Sequence, residues 1–137
     1  MPVVPCIRCG RGCVFLCRPC RYPLSQALLD AVLSSLTPDL LKKQYVDLPF
    51  PGGHCYVASE ALYHLLGRHP HVKAQWVWHE DVSHWFVSTD GKIIDLTAEQ
   101  FDTPPLYAEA NGKGFLTKYP SKRARVVIER VVEKMGV

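Results

Sequence analysis

The sequence predicts an α+β fold, and three observations carry the prediction. Apolar residues recur at helical spacing over residues 24–36, 55–66 and 121–135. Three short β-rich runs follow one another between residues 72 and 97, the last two joined by the hairpin signal Asp90-Gly91. The order is helices, a helix that begins with a cysteine, antiparallel strands, then a helix, which is α+β rather than alternating α/β. With 137 residues, 47% hydrophobic and 21% charged, the chain can bury one core and does not read as disordered.

Taken in order, residues 1–21 are a Cys-rich segment and residues 22–137 the remaining domain. Leu24 to Leu36 reads as a helix, with Leu24, Ala27, Leu28, Ala31 and Val32 on one face. Thr37-Pro38 is a stop and restart, Thr37 as N-cap and Pro38 at the first helical position of a short helix Asp39–Tyr45. Leu48 to Gly53 reads as an extended loop. In the helix 55–66, Val57, Ala58, Ala61, Leu62, Leu65 and Leu66 form a broad apolar face, ended by Gly67. The strands are Val72–His79, Ser83–Thr89 and Lys92–Thr97. Trp76, Trp78 and Trp85 read as core or pocket wall. Residues 98–120 are mixed, and Ser121 caps a final helix with Ala124, Val127, Ile128, Val131, Val132 and Met135 on its apolar side.

Five of the six cysteines lie in the first twenty residues: Cys6, Cys9, Cys13, Cys17 and Cys20. Cys6-Ile7-Arg8-Cys9-Gly10 and Cys17-Arg18-Pro19-Cys20 are two C-x-x-C steps. Together they offer four thiolates to one tetrahedral zinc, a closed site that is structural rather than catalytic. Gly10 suits the tight turn of a zinc knuckle. Cys13 is left over or competes as a ligand. Disulfides or free thiols are one alternative, set against the crowding of the cysteines at one end, and an iron–sulfur centre is another. A zinc here would fold a segment that has few apolar residues.

The sixth cysteine, Cys55, follows Gly52-Gly53-His54 at the start of a helix. Unpaired N–H groups and the positive end of the helix dipole favour a thiolate there and offer donors for an oxyanion. A base is the next requirement. His84 lies 29 residues after Cys55, and Asp95 eleven residues further. If Asp90-Gly91 is a two-residue turn, Thr89 opposes Lys92, Phe86 opposes Asp95 and His84 opposes Thr97. His84 and Asp95 are then diagonal neighbours on one face. Asp95 would hold one ring nitrogen and aim the other at Cys55, a nucleophile, base and orienter in sequence.

The segments Gly53-His54-Cys55-Tyr56-Val57-Ala58-Ser59-Glu60-Ala61-Leu62, His84-Trp85-Phe86-Val87 and Gly91-Lys92-Ile93-Ile94-Asp95-Leu96-Thr97 resemble the papain-like superfamily. More narrowly they are similar to its transglutaminase-like and arylamine N-acetyltransferase branch, over about residues 50–100. The resemblance implies a papain-like core with a thiolate at Cys55, a general base at His84 and an orienting carboxylate at Asp95. Papain-like proteases often place a Gln shortly before the nucleophile for the oxyanion. Here the nearest upstream one is Gln44, eleven residues back. Gln44, His54, Tyr56 and Trp85 are the candidates for oxyanion or substrate contact.

The expected function is therefore a small cysteine hydrolase or acyltransferase, acting on an amide, isopeptide or ester of a protein, peptide or small molecule through a thioester. The alternative is a binding module. The net charge of +3 divides as +4 over residues 1–23, −6 over 24–112 and +5 over 113–137. The zinc knuckle and the basic residues Lys122, Arg123 and Arg125 would then dock nucleic acid or protein on a papain-like scaffold. A metal hydrolase built on His54, Cys55, His84 and Asp95 is a third possibility by ligand type. No apolar run approaches the roughly 18 residues of a membrane span, and the first residues do not read as a secretory signal. No membrane association and a cytoplasmic location are expected.

Overall fold

In a computed structural model, residues 4–12, 15–43, 48, 50–66, 72–112 and 119–136 are described. Cys13, Gln44, Tyr45 and Gly67, to which the sequence assigns roles, lie outside them. Among the described residues the fold is α+β, with helices α1 (Gln26–Ser34), α2 (Cys55–Leu65) and α3 (Lys122–Met135). Strands β1 (Lys73–His79), β2 (Val82–Thr89) and β3 (Lys92–Ile94) form one antiparallel sheet in the order β1-β2-β3. No helix among the described residues is long and apolar enough to cross a membrane.

α1 is shorter than the predicted span because Ser25, in extended conformation, caps it by accepting from the Leu28 N–H. Ser35 closes the other end, where its hydroxyl donates to the Ala31 carbonyl at 2.6 Å. The predicted helix Asp39–Tyr45 is not formed over its described part. Pro38–Leu40 make a single 3-10 turn, and the chain is extended again at Leu41. Two interactions explain this. The Thr37 hydroxyl donates to the Asp39 carboxylate instead of capping. The Leu40 carbonyl accepts from Arg123 Nη1 at 2.7 Å instead of continuing a helical ladder.

The loop before α2 is not extended either. The Pro51 carbonyl accepts from the His54 N–H, and Gly53 takes φ +82° inside that turn. A positive φ is what glycine supplies without steric cost, and the turn delivers Cys55 to the first position of α2. α2 is the hub of the core and packs against α3, α1 and β2. α3 buries Ala124, Val127, Ile128, Val131 and Val132, the i, i+3, i+4, i+7, i+8 stripe expected of an amphipathic helix. Each such valine or isoleucine contributes about 1.5–3 kcal/mol by leaving water. A charge at Val127 would break the packing. Glu60 ties the two helices together from full burial: its two oxygens accept from the Ser121 N–H and hydroxyl, each at 2.7 Å.

The Cys-rich segment shares this core. Cys6, Phe15, Leu16 and Tyr22 are buried in the same cluster as the apolar faces of α1, α2 and α3. The Tyr22 N–H donates to the Leu65 carbonyl at 2.7 Å, which stitches the segment to the end of α2.

The β2–β3 hairpin has the register read from the sequence: Thr89 opposes Lys92 and Val87 opposes Ile94, around Asp90 and Gly91 with both φ values positive. β3 stops at Ile94, not at Thr97. Asp95 Oδ1 accepts from the Thr97 N–H at 3.3 Å, a local turn that takes the chain out of the ladder and into the 3-10 turn Ala98–Gln100. Trp78 departs from its expected place in the core, being 63% exposed, whereas Trp76 and Trp85 are half-buried.

Candidate functional site

Cys55 is the first residue of α2, and His54 before it makes no side-chain cap. The first-turn N–H groups are therefore not taken by a capping side chain at His54. Cys55 is half-buried, and its thiol donates to the Ser83 carbonyl at 3.9 Å, which sets the start of α2 against the start of β2. The next residue on β2 is His84.

His84 is completely buried. Its Nε2 donates to Asp95 Oδ2 at 2.6 Å. Phe101 meets its ring edge to face at a centroid distance of 4.7 Å, and Phe86 stacks at 6.4 Å. Burial by itself would push the imidazole down. The hydrogen bond to Asp95, the neighbouring Cys55 thiol and the charges of both outweigh burial and raise His84 to about 9. An imidazolium is then the resting form at neutral pH. Asp95 also accepts from the Tyr107 hydroxyl at 2.7 Å, on the same oxygen that holds His84. Burial, and then the Asp95 carboxylate, push the Tyr107 hydroxyl well above its usual range, so it stays a donor.

The other ring nitrogen, Nδ1, meets Gln100 Nε2 at 3.2 Å. An amide serves either form of the ring: its NH₂ donates to bare Nδ1, and when flipped its oxygen accepts from Nδ1–H. The same end of the Gln100 amide lies 3.1 Å from Thr97 Oγ1, so with the imidazolium its oxygen accepts from both Nδ1–H and the Thr97 hydroxyl, and the turn that ends β3 positions it. Gln100 and Tyr107 were not singled out by sequence reasoning. Both lie in the mixed segment after Asp95, where no periodicity marks a side chain's direction.

A cavity of about 370 Å³ opens beside Cys55. Tyr56 and Trp85, two of the sequence candidates, line it and pack edge to face at 5.0 Å. Leu48, Val57 and Val82 add apolar wall, and Gln100, Lys42 and Arg123 add polar groups. The structure does not bring His54 to this cavity. His54 is buried, and its Nε2 donates to the Thr37 carbonyl at 3.0 Å, a tie between the start of α2 and the loop after α1. Gln44 falls outside the described residues.

At the N-terminal segment, the sulfurs of Cys6, Cys9, Cys17 and Cys20 all lie within 4.8 Å of one another. Cys9 and Cys17 Sγ are 3.5 Å apart. A tetrahedral Zn–S distance of about 2.3 Å spaces sulfurs about 3.8 Å apart, so the four thiols are positioned to hold one metal ion and are compatible with zinc. Gly10, at φ +77°, lets its N–H turn back to the Cys6 carbonyl at 2.8 Å. Crowding splits the thiols. Cys6 is pushed up by burial but pulled further down, to about 6, by the backbone N–H groups around it; Cys20 is pushed up to about 12, first by its Cys17 neighbour. A cation at the centre removes that conflict. The described cysteines are free, so no disulfide forms among them. This is the one group of three or more metal-ligating side chains among the described residues, so the geometry gives no support to a metal site on His54, Cys55, His84 and Asp95.

Of the three cations at the start of α3, Arg123 donates to the Leu40 carbonyl and Arg125 lies over the Phe15 ring at 5.9 Å. Lys122 is exposed. Two of the three thus have partners within the fold. The chain matches no protein-family model, no curated protein and no solved structure, so the reading of the site rests on its own geometry.

Proposed function

We propose that this protein is a small papain-like cysteine hydrolase or acyltransferase whose nucleophile, base and orienting carboxylate are Cys55, His84 and Asp95. The observation that carries the reading is the buried 2.6 Å bond from His84 to Asp95, on the residue next to the carbonyl that holds the Cys55 thiol. The raised His84 and the cavity at Cys55 support it.

In the first half-reaction, from the state in which the thiol proton has passed to His84, the Cys55 thiolate forms a bond to the carbonyl carbon of an amide, isopeptide or ester. The C–N or C–O bond breaks, and the proton on His84 passes to the leaving atom. Backbone N–H groups at the start of α2 would receive the oxyanion. In the second half-reaction water or an amine attacks the thioester, gives a proton to His84, and releases the Cys55 sulfur. Asp95 keeps Nε2 protonated and the ring aimed, with Tyr107 and Thr97 holding Asp95 in turn. The four N-terminal cysteines hold a structural zinc that anchors Phe15 and Leu16 in the core. The protein acts without a membrane, in the cytoplasm.

The test is acyl-enzyme trapping. The full chain is mixed with p-nitrophenyl acetate, quenched in acid and digested, and the acetyl group is located by mass spectrometry. The reading requires hydroxylamine-sensitive acetylation at Cys55, lost in Cys55→Ala and strongly slowed in His84→Ala. Acetyl on other cysteines alone would sink it.

A further inference from the structure

We infer that the compound taken by the Cys55 cavity carries a carboxylate beside the acyl bond that is attacked. The inference rests on the reading of Cys55 as nucleophile and names the class of its substrate. Among the described residues that line the cavity, Lys42 and Arg123 carry charge and no carboxylate does. Arg123 lines the cavity and is half-buried, and its Nη1 is fastened to the Leu40 carbonyl at 2.7 Å, which holds the side chain in place. A guanidinium has five N–H donors in a rigid fork, and one such bond engages one of them. Most of the remaining wall is apolar, with Tyr56, Val57, Val82, Trp85 and Leu48, and Gln100 and Ser83 are its neutral polar groups.

The combination selects a ligand with an apolar body and an anionic end. Positive charge against low-dielectric walls concentrates anions and repels cations. A neutral ligand would cover the two cations without pairing them, at a desolvation cost. The carboxylate is a spectator in the chemistry. The sulfur still bonds to the acyl carbon, the bond to the leaving group still breaks, and the proton still goes from His84 to the leaving atom.

Two alkylating agents with the same leaving group separate the possibilities: iodoacetate, an anion, and iodoacetamide, which is neutral. Their rates at Cys55 of the full chain are read by peptide mass spectrometry at low salt, and the ratio is compared with that of free cysteine. The ratio is expected to favour iodoacetate by on the order of tenfold over free cysteine, and to fall with added salt. Lys42→Glu, an exposed position, should reverse most of the preference, and Arg123→Gln, if it folds, should reduce it. A ratio equal to that of free cysteine would overturn the inference. So would a preference untouched by Lys42→Glu and Arg123→Gln, because the His84 charge alone would then account for it. If Cys55 reacts with neither reagent, the nucleophile reading falls first and takes the substrate class with it.

Discussion

The Tyr107 hydroxyl donates to the oxygen of Asp95 that also holds His84, at 2.7 Å against 2.6 Å. One carboxylate oxygen thus divides its charge between a neutral donor and an imidazolium. Tyr107→Phe should remove the competitor and leave Asp95 pulling harder on His84. The His84 midpoint, followed by proton NMR of the imidazole in the wild type and the variant, should then be higher in the variant, further above the usual imidazole range. A fall would mean that Tyr107 serves to hold Asp95 in place rather than to share its charge.

The raised His84 also fixes a pH dependence. Leaving-group protonation needs the imidazolium, so turnover should fall as pH rises through about 9. Asp95→Asn removes the largest upward influence, and the alkaline limb should move to lower pH. Stability follows the same sign. The folded value lies above the unfolded value of about 6.5, so the contribution is complete below that and is lost as pH rises through about 9. Urea titrations at pH 6, 8 and 9.5 on the wild type and on Asp95→Asn would show it.

His64 predicts the opposite limb. It is buried on α2, and desolvation, with the Arg21 charge adding to it, lowers it to about 4. Unfolding releases it to about 6.5, so below that pH the unfolded chain binds the proton first. Stability should fall as pH drops from 6.5 toward 4, by about 3 kcal/mol in all at about 1.4 kcal/mol per unit. His64→Leu should flatten that slope in denaturation curves taken at pH 7, 5.5 and 4.5.

How much of this was legible in the sequence depends on what kind of signal each residue leaves. α3 was readable because its buried positions follow the helical period over about four turns, and α2 because its apolar residues do, although it is buried on nearly every side, Ser59, Glu60 and His64 included. The two-residue turn at Asp90-Gly91 set the register as far as Val87 and Ile94; the expected pairs Phe86–Asp95 and His84–Thr97 lie beyond the ladder, and His84 meets Asp95 by a side-chain bond just past its end. Two paired C-x-x-C steps foretold the cysteine cluster. What was missed is tertiary. The short helix after Pro38 gives way because Arg123, far along the chain, takes the Leu40 carbonyl. β3 ends early because Asp95 bonds to its own backbone two residues on. His54 looked like a cavity residue from its place beside Cys55, yet the first turn of a helix sends neighbours in different directions.

The metal reading has its own consequence. Because Cys6, Phe15 and Leu16 share the main core, loss of the ion should destabilise the whole chain rather than fray one end. Metal analysis should find one zinc per chain. A strong chelator, or Cys20→Ser, should release it and lower the melting temperature of the single unfolding transition. A chelated protein with an unchanged melting temperature would show that the cysteines fold without an ion.

The central claim is that His84 makes Cys55 a nucleophile. The most direct measurement is the rate of iodoacetamide alkylation at Cys55, resolved by peptide, in the wild type and in His84→Ala at pH 7. An imidazolium beside the thiol predicts a rate about tenfold or more above that of the variant, with Cys6, Cys9, Cys17 and Cys20 protected in both. A Cys55 that is inert in the native protein, or that reacts equally with and without His84, would contradict the account.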